Sequence, residues 1–380
     1  MKVTLQVNAL KEVMDLVGRF VSRHATLPIL ENVYIKANID TIMFRATDME
    51  KYIEIELPAK LDDEWSLTVN AKTFSDILRT IDEDHITLVI EESTDSLSIK
   101  SSNDEFKIKW IPASEYVAVP SVQSDQSITL DTMSFSNWIG NVEYAVTEKN
   151  FSPVLTGVFM RIKKYEEGKK LVFVGTDSFR LAEYKVAFDG DAGEMWLIVP
   201  KLHISDIKKV TDYCISKDVE NMQMTSSDNM VCFSFDLGDM KLQCTSLLIQ
   251  GSFPEYENEN IMPTTWNTKV MLDASGLEKA IRKISILTRD INNFINISSE
   301  QDKLLLSSWQ TDIGEGQTQV AAVVDGETVW FGVNGKYMSD FLRIIESDEV
   351  VMRVIDAEKP IIFKDKDDDR YTYVVRPLIK

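Results

Sequence analysis

Short runs in which apolar and polar residues alternate recur along the whole chain. Examples are YIEIELPA (52–59), ITLVIEE (86–92), SLSIKSS (96–102), FKIKWI (106–111), KLVFVGTD (170–177), MVCFSFDLG (230–238), KLLLSSW (303–309) and EVVMRVI (349–355). A period of two predicts strands with one face buried. Turn signals such as EEGKK (166–170), DGDAG (189–193) and DKDDD (365–369) separate such runs. Between them lie stretches of helical period. In 8–23, Leu10, Val13, Met14, Val17, Phe20 and Val21 form one stripe, with Asn8 placed as the N-cap. Asp131 and Asp273 occupy the equivalent cap positions before helices over 132–145 and 274–289.

A second helix start is written three times. VNAKTFSDILR (69–79) and VNGKYMSDFLR (333–343) share seven of eleven positions, and VPKLHISDIKK (199–209) keeps Val, Ser, Asp and Ile at matching places. The predicted stripes are Phe74, Ile77, Leu78 and Ile81; Leu202, Ile204 and Ile207; and Met338, Phe341, Leu342 and Ile345. FRATDMEKYIEIEL and VFVGTDSFRLAEYKV also superpose, Thr47-Asp48 on Thr176-Asp177. The pattern predicts an α+β chain of three repeated domains, 1–122, 123–262 and 263–380, each with two helices on one face of antiparallel sheet. Linkers are expected at 112–127 and 251–268, both rich in Pro, Ser, Asn and Glu.

Composition narrows the chemistry. With 44% apolar and 27% charged residues over 380 positions, the chain has ample material for a core. No run of 18 or more apolar residues appears and the N-terminus lacks a signal-peptide core, so no membrane association and a cytoplasmic location are expected. Three cysteines without CxxC spacing and three scattered histidines give no disulfide framework, and no metal or cofactor is expected. No GxGxxG, Walker A, HExxH or GxSxG pattern is present, so the chain reads as a non-enzyme. DKDDDR (365–370) lacks the Gly and terminal Glu of a calcium loop and reads as a hairpin tip, and TDSFR (176–180) pairs an Asp with an Arg but has no nucleophile beside it.

A net charge of −20 argues against anionic partners, but its distribution changes that reading. The six helical segments carry a net +7, leaving −27 on everything else. Their basic residues avoid the apolar stripes: Lys72 and Arg79, Lys201 and Lys208, and Lys336 and Arg343 each flank a motif serine. Two readings stand at this point. One is a solvated face with pairs such as Glu278 with Arg282; the other is a phosphate-facing surface inside an acidic body. A domain of this size is a ball about 36 Å across. Six in a hexagon leave a hole about one ball wide, enough for a duplex of roughly 20 Å, whereas three leave almost none. A closed head-to-tail dimer of three-domain chains is thus a natural solution.

TLPILENVYIKA (26–37), FVGTDSFRLAEYKV (173–186), GSFPEY (251–256) and YVVRPLIK (373–380) resemble signature stretches of the bacterial DNA polymerase III beta subunit family, the sliding clamps. The resemblance covers the whole chain in order. It implies a ring-shaped homodimer that encircles duplex DNA without sequence preference and tethers the polymerase III alpha subunit, the clamp loader and other replication or repair polymerases through short linear peptides. Combined with the basic helix faces, it makes Arg19, Arg23, His24, Lys72, Arg79, Lys149, Lys201, Lys208, Lys209, Arg282, Lys283, Lys336 and Arg343 candidates to face DNA. It places a partner-peptide cleft at Val154, Leu155, Thr176, Ser178, Phe179, Arg180, Leu181, Pro254, Ile261, Asn334, Tyr337, Val374, Arg376 and Leu378. It puts the dimer interface at Phe106, Ile108, Ile286 and Leu287, with Lys107 or Lys109 as substitutes for charge pairing beside the acidic SSNDEF.

The sequence departs from the family where Arg376 replaces a usually apolar residue, His24 stands at a basic loop place, and Pro153 and Val154 replace aromatic residues. A main replicative clamp and a divergent second clamp both fit. So does an accessory scaffold that binds partner peptides without loading on DNA.

Overall fold

The computed structural model describes every residue except 23–26, 62, 121, 123–125, 148–151, 310–313 and 379–380. The first third of the chain forms β1 (Lys2–Gln6), β2 (Asn32–Ala37), β3 (Thr41–Thr47), β4 (Lys51–Pro58), β5 (Trp65–Asn70), β6 (His85–Glu91), β7 (Ser96–Lys100) and β8 (Glu105–Pro112), with helices α1 (Val7–Val17) and α2 (Ala71–Thr80). The central third forms β9 (Gln126–Asp131), β10 (Gly157–Tyr165), β11 (Gly168–Thr176), β12 (Arg180–Ala187), β13 (Met195–Pro200), β14 (Asn221–Ser226), β15 (Met230–Asp236) and β16 (Lys241–Leu247), with α3 (Thr132–Glu143) and α4 (Lys201–Ser216). The last third forms β17 (Thr268–Asp273), β18 (Phe294–Glu300), β19 (Lys303–Ser307), β20 (Gln317–Gly326), β21 (Trp330–Asn334), β22 (Glu349–Val354), β23 (Ile361–Asp365) and β24 (Tyr371–Val375), with α5 (Ala274–Thr288) and α6 (Gly335–Leu342). Among the described residues each third therefore repeats eight strands and two helices, the two helices on antiparallel strands being as the alternation and the triplicated motif predict.

By contacts the chain divides into two compact units rather than three: Met1–Ser136, Gly190–Gly193 and Leu202–Ile249 in one, and Asn137–Asp189, Glu194–Lys201 and Gln250–Lys380 in the other. Continuous pairing across the repeat boundaries is the reason. The first unit holds one antiparallel sheet ordered β1-β6-β7-β8-β5-β2-β3-β4-β16-β15-β14-β9, joined where Lys51–Ser246 through Glu56–Lys241 link the fourth strand of the first third to the eighth of the central third. The second unit repeats the arrangement as β13-β10-β11-β12-β24-β23-β22-β17-β20-β19-β18-β21, joined by β12 and β24.

The helices bury most of the expected stripes, with Val21, Ile77, Leu342 and Ile345 half-buried. Leu10, Val13, Met14, Val17 and Phe20 of the α1 region are at most 1% exposed, and Phe74 and Leu78 of α2 are fully buried. Asp131 and Asp273 cap as expected, accepting from Ser134 N at 2.7 Å and Gly276 N at 2.5 Å. Asn70 and Asn334 of the repeated motif do the same for Thr73 N and Lys336 N. Asn8 does not cap: α1 begins at Val7, whose N–H donates to Asp84 O at 2.9 Å, so a neighbouring backbone carbonyl satisfies the helix start. Leu202 is also not in the core. It is 76% exposed, and His203 takes the inward position, its ring held by Ser246 Oγ at 2.8 Å.

Burial holds His203 below its ordinary pKa of 6.5. The unfolded chain gains a proton near that pH which the folded unit refuses until a lower pH, so this part of the stability is present above 6.5 and lost as pH falls toward the folded value. The first unit's thermal midpoint, followed by calorimetry, is expected to drop on acidification below 6.5, and His203→Gln is expected to flatten that part of the profile.

Candidate functional site

The TD repeats build the same turn twice. Thr47 Oγ1 donates to Lys51 O at 2.8 Å and Thr176 Oγ1 to Arg180 O at 2.6 Å. Asp48 Oδ1 accepts from Glu50 N and Lys51 N, and Asp177 Oδ1 accepts from Phe179 N and Arg180 N, each at 2.9 to 3.0 Å. Met49 and Ser178 take left-handed φ values of 80° and 75° at matching places. Each turn ends in a cation paired with the motif aspartate of the following third: Lys51 with Asp206, and Arg180 with Asp340 at 2.6 Å. What the two turns carry differs. The first presents Glu50 and then Tyr52; the second presents Phe179, 53% exposed, and then Leu181.

Around that second turn, within the second unit, opens a cleft of 440 Å³. Leu155, Leu181, Val374, Phe179 and Phe253 supply apolar walls, and Thr176, Ser178, Arg180, Pro254, Tyr256, Asn260 and Ile261 complete them, with Glu358, Lys359, Pro360 and Arg376 also in the lining. Leu181 and Val374 are direct cross-strand partners. Phe159 and Phe253 stack at 4.4 Å, and Arg376 N donates to Phe179 O at 2.8 Å. Gly175 permits the close approach of α3, since a Cβ there would lie 2.1 Å from Val142 O.

Ten of the fourteen expected cleft residues line it. Val154, Asn334, Tyr337 and Leu378 do not. Val154 is half-buried beside Leu155, with its Cγ1 2.8 Å from where a Cβ on Gly251 would sit. Asn334 is spent as the α6 cap. Tyr337 lies beneath Arg180, whose guanidinium sits 4.5 Å from its ring centroid. Leu378 N donates to Gly332 O at 2.8 Å. The sequence reading missed Phe253, Tyr256, Asn260, Glu358, Lys359 and Pro360. The FPEY stretch contains the first two and could have yielded them; the turn 358–360 carries no signal.

Buried charge anchors the linker that forms one wall. Glu257 meets Arg161 and Lys163 at 2.6 Å, Lys185 at 3.1 Å and the Tyr165 hydroxyl at 2.6 Å. Burial opposes its charge, yet Lys163, Tyr165 and Lys185 hold the carboxyl well below the ordinary range. Tyr256, 3% exposed, donates to the buried Glu183 at 2.7 Å. Asp177 and Arg180, which resemble a catalytic pair in sequence, are engaged in turn geometry and in ion pairing at 3.0 Å.

Of the candidate DNA-facing residues, Arg23, His24 and Lys149 lie outside the described residues. Arg19, Lys72, Arg79, Lys209, Arg282, Lys283, Lys336 and Arg343 are exposed; Lys201 and Lys208 are half-buried. Arg19 stands in the turn after α1, and Arg343 caps α6. Arg19, Lys72 and Arg79 border a 770 Å³ groove between α1 and α2 together with Asp15, Glu31 and Asp76. Arg79 pairs with Asp15 at 2.8 Å, and Lys208 with Asp212 at 3.1 Å, so part of the positive charge is already neutralised.

Phe106 and Ile108 of β8 are half-buried, Ile286 of α5 is 64% exposed and Leu287 is half-buried. Lys107 is engaged within its own chain by Glu91 at 2.9 Å, which with Ser98 lowers the Glu91 carboxyl to about 2. Lys109 donates to Thr94 O. Among the described residues, Glu105–Lys109 of β8 pair only with β7, and Gln317–Ala321 of β20 only with β19. Among those residues no group of three or more His, Cys, Asp or Glu could hold a metal, and no helix is long and apolar enough to cross a membrane.

A triplicated antiparallel α+β chain with an apolar cleft in its second unit defines a repeat protein of the clamp class. Residues 1–120, 129–255 and 259–379 match, in order, the N-terminal, central and C-terminal domains of the DNA polymerase III beta subunit. The beta sliding clamp of Staphylococcus epidermidis is 29% identical over 368 residues, 94% of each chain. The DNA polymerase sliding clamp of Bacillus subtilis superposes with a TM-score of 0.91 at 23% identity, over 100% of this chain and 99% of that one. A Caulobacter crescentus beta sliding clamp, described with polyethylene glycol bound to its putative beta-motif tethering region, gives 0.91 at 25% identity over 100% of both chains. The chain belongs to the DNA polymerase III beta subunit family, the beta sliding clamps, whose role in the polymerase is non-catalytic.

Proposed function

We propose that two copies of this chain close head to tail into a ring that encircles duplex DNA, slides along it, and tethers polymerase III and other replication or repair proteins by short linear peptides seated in the cleft. The alpha subunit and the clamp loader are the first partners expected, and the cytoplasm is the compartment in which they would meet. The repeat boundaries fall near 122 and 262, within the two linkers.

One pairing rule carries this reading. The fourth strand of one third pairs with the eighth strand of the next, as β4 with β16 and β12 with β24. That leaves the fourth strand of the last third, β20, and the eighth of the first, β8, with half-open edges. Applying the rule once more between two copies pairs each β20 with the other's β8 and closes six repeats. Phe106 and Ile108 lie on that edge of β8, and Ile286 and Leu287 follow from the family resemblance as their opposing surface. The basic helix faces then supply loose, sequence-blind contact, while enclosure supplies retention; the carboxylates among them keep that contact weak enough for sliding.

The test loads the protein with a clamp loader onto nicked circular DNA, washes at high salt and then linearises. Purely electrostatic binding is lost in the wash. Retention until the cut, followed by release, is expected. Loss before the cut would sink enclosure and leave the non-loading scaffold.

A further inference from the structure

The sheet face that floors the cleft continues into a second chamber of 650 Å³, reached by a single cross-strand row. Leu181 opposes Val374, Val374 opposes Ile362, Ile362 opposes Arg353, and Arg353 opposes Lys269. Lys364, on the same face of β23, opposes Val351 one step along. Lys269, Arg353 and Lys364 thus share one patch of one sheet face, with two of them directly opposite each other, an unfavourable placement for like charges.

Among the described residues none of the three has a carboxylate at ion-pair distance. Asp325 faces Lys269 across β20 but forms no ion pair with it. Lys364 Nζ donates only to the backbone oxygen of Asp369, at 3.0 Å. Burial lowers the Lys364 pKa; Asp369 and Glu183 oppose that, while Arg353 and Lys185 add to it. The Arg353 guanidinium lies 4.1 Å from the Trp266 ring centroid, and its Nε is buried without a hydrogen-bond partner. A guanidinium stacked on an indole, with its donors unused, is set for an oxyanion.

We propose that the Arg353–Lys364 chamber is a subsite for an acidic side chain, the carboxylate of an Asp or Glu carried by the same peptide whose apolar residues fill the cleft. This rests on the cleft being a peptide site. Arg353 lies two strand spacings from Val374, about 10 Å, which an extended peptide crosses in about three residues. Four carboxylates also border the chamber: Glu183 and Glu257 are engaged by Lys185 and Glu259 by Thr264, while the Asp369 carboxylate forms no ion pair among the described residues, so Arg353 and Lys364 are left as its open donors. The site is local and runs against the bulk: a chain of net charge −20 attracts a basic peptide and repels an acidic one over longer range.

The test uses the full-length protein and a pentapeptide selected from a random display library on it, retained only if Phe179→Ala weakens its binding. The peptide is made unextended, and with a Gly-Gly-Glu-Glu-Glu or a Gly-Gly-Lys-Lys-Lys extension at either end, each labelled for fluorescence polarisation. The Glu extension at one end is expected to tighten binding about tenfold over the unextended form. Arg353→Gln with Lys364→Met is expected to remove that gain and leave the unextended peptide unchanged. Glu extensions that bind no better than the unextended form, or worse than Lys extensions, overturn the subsite and leave the cleft standing. A library that yields no peptide sensitive to Phe179 removes the cleft reading, and the subsite with it.

Discussion

Replacing Phe179 with alanine is expected to weaken partner-peptide binding by about 4- to 15-fold while leaving thermal unfolding nearly unchanged. The ring is 53% exposed at the lip of the cleft, so the fold gains little from it. Covering the exposed half of such a side chain with a peptide is worth about half of the roughly 1.5–3 kcal/mol for burying a whole one, and each 1.4 kcal/mol is about tenfold in affinity. The turn that presents it does not depend on the phenyl group: the backbone N–H groups of Phe179 and Arg180 are held by Asp177, and Ser178 carries the left-handed φ. Leu181 offers the contrast. It is 4% exposed and paired with Val374, so Leu181→Ala should lose peptide affinity and also cost about 2–5 kcal/mol of stability. Polarisation with a labelled peptide and differential scanning fluorimetry separate the two effects. Unchanged affinity in Phe179→Ala would remove this lip from the binding surface.

Much of the architecture is legible because period and repetition are local signals. Alternation found the strands, and the caps Asp131 and Asp273 were readable because an aspartate before a helical stripe has one dominant use. Asn8 misled because the donor at that helix start is satisfied by Asp84 O, a partner from 77 positions away that no local pattern reveals. Leu202 misled because residue type was read as burial, whereas register decides which side chain faces inward, and His203 could be buried once Ser246 met its ring. The cleft divides in the same way. Residues within TDSFRL, FPEY and the tail could be placed by motif, but Glu358, Lys359 and Pro360 arrive only because β22 and β23 bring their connecting turn beside β24. The open edges of β8 and β20 were invisible for the same reason: an edge is defined by pairing, not by composition.

Pairing also gives the aspartate of the helix motif a role. In its second and third copies the aspartate takes the turn cation of the preceding third, Lys51 to Asp206 and Arg180 to Asp340, so the motif locks successive repeats across the continuous sheet. In the first copy Asp76 pairs, among the described residues, with Arg79 of its own helix at 3.8 Å. Arg180 and Lys51 are about equally buried, and Arg180 has the more extensive set of partners. Its side chain is 9% exposed, with Asp177 and Asp340 at 15% and 14%, and it also donates to Tyr144 O at 2.8 Å. Arg180→Met should therefore strand two nearly buried carboxylates and cost the second unit about 3–5 kcal/mol. It should also disorder the Phe179 lip, which the same turn carries, and so reduce peptide affinity. Adding Asp340→Leu to Arg180→Met should recover part of the stability, because removing both partners of a buried pair is far less costly than removing one. Urea unfolding of the two single variants and the double variant, followed by hydrogen exchange along β12, measures the coupling. Additive losses would mean that the pair is an incidental contact and that the sheet alone joins the repeats.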